Sequence, residues 1–117
     1  MTTLEDVRRL ALALPDTTEG TSYGNVAFKV REKLFVWERP LRKADRQALG
    51  DSAPEGEIIG VRVEHEVAKR ALLESEPECC FTTPHFDGSP VVLVRLDRTD
   101  HELLEELVTE AYLNRTP

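Results

Sequence analysis

The order of helical and extended patterns in this 117-residue chain predicts an α+β fold, a two-layer domain with an antiparallel sheet covered by helices. Three observations carry that prediction. Apolar residues recur at helical spacing near both ends, as Leu4, Val7, Leu10, Ala11 and Leu14, and as Leu103, Leu104, Leu107, Val108 and Ala111. Between them lie short runs dense in β-branched and aromatic residues, at 26–30, 34–38, 58–63 and 91–96. The first two of these runs are separated only by Arg31-Glu32-Lys33 and read as an antiparallel hairpin.

Each element has a local reason. Thr2-Thr3-Leu4-Glu5 has the pattern of a capping box, and Leu14-Pro15 ends the first helix. The stretch from Asp16 to Asn25 is polar, with Gly20 and Gly24 as punctuation and 17–19 as a short first strand. Val26, Phe28 and Val30 share one strand face. Pro40 closes the strand that holds Trp37, the one tryptophan. Residues 43–49 are good helix formers stopped by Gly50, and 51–57 read as a loop. Gly60 inside the strand 58–63 predicts a bulge or a close backbone approach. A helix over 64–75 would bury Val67, Ala71, Leu72 and Leu73, and Glu76-Pro77 breaks it. Residues 78–82 suit a short strand. After 91–96, Thr99-Asp100-His101-Glu102 repeats the capping pattern ahead of the last helix, and 114–117 are expected to fray.

The length fits one domain spanning 1–117. Apolar residues make up 40%, enough for a core, but no run reaches the roughly 18–20 residues of a spanning helix. The N-terminus carries acids at once and has no basic-then-apolar leader, so the expected location is cytoplasmic and no membrane partner is expected. The two cysteines, Cys79 and Cys80, are neighbours and poor candidates for a mutual disulfide; they read as small buried hydrophobes. The formal net charge is -7, a field that repels phosphate. It is uneven. Residues 29–46 hold seven cations, Lys29, Arg31, Lys33, Arg39, Arg42, Lys43 and Arg46, against Glu32, Glu38 and Asp45. The acidic excess lies mostly beyond residue 47.

The least generic stretch is FTTPHFDGSP, residues 81–90. Pro84 and Pro90 fix φ, Gly88 suits a left-handed turn position, and Asp87-Gly88 is a common hairpin-turn pair. Thr82, Thr83 and Asp87 are expected to bond backbone groups of the turn. With the strand that follows, this block resembles the C-terminal signature of the MmcQ/YjbR-like family. The blocks at 35–41 (FVWERPL) and 59–63 (IGVRV) resemble a branch of the same family, in the same order. The resemblance implies a secretion-chaperone-like α-β(3)-α-β(2)-α arrangement. It also implies a DNA-binding label that rests on fold similarity, with projecting loops or hairpin wings as the contact. It brings no established reaction, and a fold does not fix function.

Chemistry is sparse. No CxxC, HxxxH or HExxH spacing points to a metal, no GxSxG elbow to a nucleophile, and no GxGxxG or GxxxxGK[ST] to a phosphate loop. The expected metal, cofactor and catalytic sets are therefore empty, and the chain reads as a binding protein rather than an enzyme. The first candidate site is the basic segment Lys29, Arg31, Lys33, Arg39, Arg42, Lys43 and Arg46, making weak, salt-sensitive, mostly sequence-independent contact with DNA. The alternatives are a module for a protein or peptide partner or a second copy, through an outer-face patch around Phe35 and Trp37, and a small-ligand pocket of Trp37, Glu38, Arg39, His85 and Asp87.

Overall fold

The computed structural model describes residues 1–116. Helix α1 (Leu4–Leu12) leads into strands β1 (Thr17–Ser22), β2 (Asn25–Val30) and β3 (Lys33–Glu38). Helix α2 (Lys43–Leu49), strand β4 (Ile58–Arg62) and helix α3 (Glu66–Ser75) follow. The chain closes with β5 (Cys80–Phe81), a 3-10 turn (Pro84–Phe86), β6 (Val91–Arg95) and α4 (His101–Asn114). The implied formula is kept, with α3 and the two-residue β5 inserted between its last two long strands. The six strands form one antiparallel sheet in the order β1-β2-β3-β4-β6-β5.

Helices α1 and α4 cover one face. Val7 and Ala11 of α1, and Leu104, Leu107, Val108 and Ala111 of α4, pack there on Phe28, Val30, Val36, Ile59, Val61, Val92 and Val94. These are the apolar stripes expected at the two ends of the chain. Both caps differ by one residue from the expected pattern. In α1, Thr3 is the N-cap and exchanges hydrogen bonds with Asp6, while the buried Thr2 donates its hydroxyl to the Leu96 carbonyl at 3.0 Å. In α4 the cap is Asp100, whose carboxylate accepts from the Leu103 N–H at 2.8 Å; Thr99 instead turns its hydroxyl to the Arg95 carbonyl. In each pair of adjacent candidates, the side chain nearer the core is drawn inward and its neighbour caps. Asn114 is still helical and donates to the Arg62 carbonyl, so the end of α4 is tied down; Pro117 lies outside the described residues.

The polar stretch after α1 is a full strand. β1 pairs with β2 along its length, from Thr17 opposite Val30 to Ser22 opposite Asn25. Its small polar residues are mostly exposed because β1 is a sheet edge. The turns on either side of β2 use residues in left-handed conformations, Tyr23 and Gly24 before it, Arg31 and Glu32 after it. Two successive positive-φ residues match the twist of a two-residue hairpin.

Register changes within β3. Phe28 faces Val36 and Lys29 faces Leu34, so Phe35 is one residue more than β2 can match. This bulge sends Phe35 and Val36 to the same helix-covered face. Leu34 and Trp37 go to the other. Phe35 is fully buried with its ring edge-on to Tyr112, and Trp37 is also buried. The expected outer patch around Phe35 and Trp37 therefore does not exist.

Helix α3 also departs from expectation. Val67 and Ala71 are exposed, whereas Lys69 is buried. Leu72 and Leu73 do pack on the core.

Candidate functional site

The second sheet face carries its own cluster, built from Ala27, Trp37, Ile58, Phe86, Val91 and Leu93. Trp37 lies flat because its partner on β4 is Gly60. A Cβ on Gly60 would come within 2.5 Å of Trp37 Cζ2. The close approach expected at Gly60 is thus made by the indole.

Arg39 lies two residues beyond Trp37 and turns to the same side. It is only 5% exposed. Its Nη1 donates to the Pro40 carbonyl and lies 3.1 Å from Asp45 Oδ2, and its guanidinium sits over the Phe86 ring at 5.1 Å. Asp45 also accepts from the Arg42 N–H at 2.9 Å. Burial by itself would raise the Asp45 pKa. The Arg42 N–H and the Arg39 charge outweigh it and hold the carboxyl below its ordinary value. Arg39 Nη2 has no hydrogen-bond partner among the described residues.

The signature turn closes this face, but its own side chains do not hold it. Among the described residues the Thr83 hydroxyl has no hydrogen-bond partner, and Thr82 makes only a 3.5 Å contact to the neighbouring carbonyl. The clamp is Lys69 of α3, whose Nζ donates to the Phe86 carbonyl at 2.7 Å and the Ser89 carbonyl at 2.9 Å. Gly88 takes φ of 78° inside the loop that this ammonium gathers. The Phe86 ring is thereby fixed against Arg39, with His85 edge-on to it at 4.7 Å between centroids.

The two signature blocks therefore meet. Trp37, Glu38, Arg39 and His85 line one cavity of about 140 Å³, together with Phe86, Arg42 and Tyr23. Arg42 lies over the Tyr23 ring at 5.7 Å, and Tyr23 itself is almost fully exposed at the β1–β2 turn. Asp87 is exposed and does not line the cavity. Sequence reasoning missed Tyr23, Asp45, Phe86 and Lys69. Lys69 had a signal, since it stands three and four residues before Leu72 and Leu73, on their helical stripe.

The seven cations do not form one surface. Lys33 and Arg39 lie at opposite ends of β3, roughly 20 Å apart by strand rise. Arg31 is exposed at the β2–β3 turn, 3.5 Å from the Asp16 carboxylate. Lys33 is exposed and Lys29 half-buried. Arg39, a candidate contact, is instead buried in its ion pair. Arg42, Lys43 and Arg46 are exposed along α2, and none forms an ion pair among the described residues. Arg46 shares a cavity of about 390 Å³ with Glu38, Glu55 and Glu57. The carboxylates of Glu102, Glu105, Glu106 and Glu110 lie on α4, across the sheet.

Cys79 and Cys80 are free and buried, and burial beside Cys79 pushes the Cys80 thiol well above its ordinary pKa. Among the described residues, no three His, Cys, Asp or Glu side chains are grouped to hold a metal ion, and no helix is long and apolar enough to cross a membrane.

A six-stranded antiparallel sheet with α1 and α4 on one face and a clamped aromatic turn on the other defines an α+β domain with a preformed cleft. Residues 12–114 match the YjbR family model, and the chain belongs to that family. It is 50% identical over 120 aligned positions to uncharacterized proteins of Mycobacterium tuberculosis and Mycobacterium bovis, covering all of this chain and 91% of each relative. Its fold is similar to the crystal structure of Deinococcus radiodurans protein DR2400, described as a DUF419 domain. That match has a TM-score of 0.71 at 22% identity and covers 97% of this chain and 78% of the other.

Proposed function

We propose that this chain is a non-catalytic binding domain that touches duplex DNA weakly and without sequence preference, through Arg42, Lys43 and Arg46 on α2. The observation that carries this reading is the exposure of Lys43 and Arg46 on one short helix and of Arg42 at its N-cap, none of them in an ion pair among the described residues. The net charge of -7 is a weaker objection than it first looks. The domain measures 39 × 28 × 26 Å, and the α4 carboxylates lie across the sheet from α2. That thickness exceeds the Debye length of about 8–10 Å near physiological salt, so the α4 carboxylates are screened from a phosphate at α2, where Glu38, Glu55 and Glu57 beside Arg46 are the acids that still oppose it. Tyr23, exposed at the neighbouring β1–β2 turn, would stand beside that contact.

Three neutralised phosphates give a slope of about -2.7 in log affinity against log salt. Affinity then falls about forty-fold between roughly 50 and 200 mM salt. Fluorescence anisotropy of a labelled duplex reads this directly. Arg42→Ala with Lys43→Ala is expected to flatten the slope by about 1.8. No binding at the lower salt, or an unchanged slope in the double variant, overturns the proposal.

A further inference from the structure

We propose that the cleft between the two signature blocks is a binding site for a small, single-ring aromatic carboxylate. The proposal shares Arg42 with the DNA contact, whereas Lys43 and Arg46 do not line this cleft.

Size comes first. The cavity is about 140 Å³, close to the ~150 Å³ at which a dry apolar cavity takes up one benzene ring. A purine nucleotide would not fit without opening the site. The walls come next. Trp37 is pinned flat by Gly60, Phe86 is held by the Lys69 clamp, and His85 and Tyr23 stand at the mouth. Rigid aromatic faces take a flat ring by offset or edge-to-face packing.

Donors then select the substituent. Arg39 is nine-tenths buried, lines the cleft, and has an Nη2 without an acceptor. That Nη2 is itself shut off from the cleft, so Arg39 shapes and charges the wall and does not bond a ligand directly. Arg42 brings a second, exposed guanidinium to the opening. Guanidinium groups favour carboxylates through paired N–H bonds. Glu38 is the one carboxylate among the lining residues, and it also borders the larger neighbouring cavity. The Asp45 charge is already engaged by Arg39 and the Arg42 N–H. The donor open to a ligand is therefore the exposed Arg42 guanidinium, and the complementary ligand is a ring bearing an acceptor anion.

Trp37 is the only tryptophan, so its fluorescence reports on this cleft alone. The experiment titrates the intact chain with benzoate, with neutral benzamide and with 5′-AMP. Benzoate is expected to give a saturable change in Trp37 emission, about ten-fold tighter than benzamide because a charge-assisted hydrogen bond is lost in the amide. Arg42→Gln and His85→Ala, both at exposed positions, are each expected to weaken benzoate several-fold while far-UV circular dichroism stays native. No saturable change with benzoate overturns the proposal. Equal affinity for benzamide overturns the carboxylate assignment, and tighter binding of 5′-AMP overturns the single-ring assignment. Unchanged benzoate affinity in both variants removes the site from this cleft.

Discussion

Replacing Asp45 by alanine would leave the Arg39 guanidinium buried without an anion. Arg39 is 5% exposed, its Nη2 already lacks a partner, and its Nη1 would keep only the Pro40 carbonyl. Stranding a buried charge in this way costs about 3–5 kcal/mol. A chain of this length has roughly 6–18 kcal/mol of total stability, so the loss is large. At about 2.1 cal/mol/K of unfolding entropy per residue, each kcal/mol moves Tm by about 4 °C, which gives a drop of roughly 12–20 °C. Urea and thermal unfolding followed by circular dichroism measure both quantities. Arg39→Met with Asp45→Leu should recover most of the loss, because a buried pair replaced by apolar groups is often neutral. A loss below about 1 kcal/mol, or a double variant no more stable than Asp45→Ala, would refute the reasoning. The pH dependence has a fixed sign. Burial pushes the Asp45 pKa up, but the Arg42 N–H and Arg39 bring it below 3.8 in the folded chain. A depressed carboxylate stabilises the fold above its unfolded pKa and loses that contribution as pH falls through the folded value. The stability gap between the native chain and Asp45→Asn should therefore hold from neutral pH down to about 5 and close only under stronger acid.

Gly60→Ala drives a Cβ to within 2.5 Å of Trp37 Cζ2; overpacking of this kind costs about 1–3 kcal/mol, and the Trp37 emission should shift with it. A native urea midpoint with unchanged emission would count against that stacking. Lys69→Met removes the donor to the Phe86 and Ser89 carbonyls. Hydrogen exchange at the Asp87 and Ser89 amides should speed up more than exchange in β6, and a uniform change across the chain would show that Lys69 is not a local clamp. Cys80, with its thiol pKa raised by burial and by Cys79, should resist iodoacetamide near pH 8 in the native chain and react once urea unfolds it. Prompt labelling of the native protein would contradict the buried thiol.

The helical stripes of α1 and α4, the β2–β3 hairpin and the strands β4 and β6 were legible because apolar periodicity is a local signal that burial merely enforces. The Asp87-Gly88 turn was legible for the same reason, since conformational permission is written in single residues, whereas the bulge or close backbone approach expected at Gly60 is in fact the Trp37 indole packed on it. The site was not. A one-residue bulge at Phe35 decides which face Trp37 occupies, and a bulge is a mismatch between two strands, invisible in either alone. Polarity made β1 look three residues long, at 17–19, where the strand runs from Thr17 to Ser22, because an edge strand with one solvated side needs few apolar residues. Exposure separated Arg39 from Arg42, Lys43 and Arg46, which composition had placed in one basic run. The sequence alone determined the fold class, the family blocks and the scarcity of catalytic motifs. Tertiary packing decided that residues 37–42 and 85–86 share one cleft, because it brings β3 beneath the Lys69-clamped turn and leaves a buried arginine with an unfilled donor.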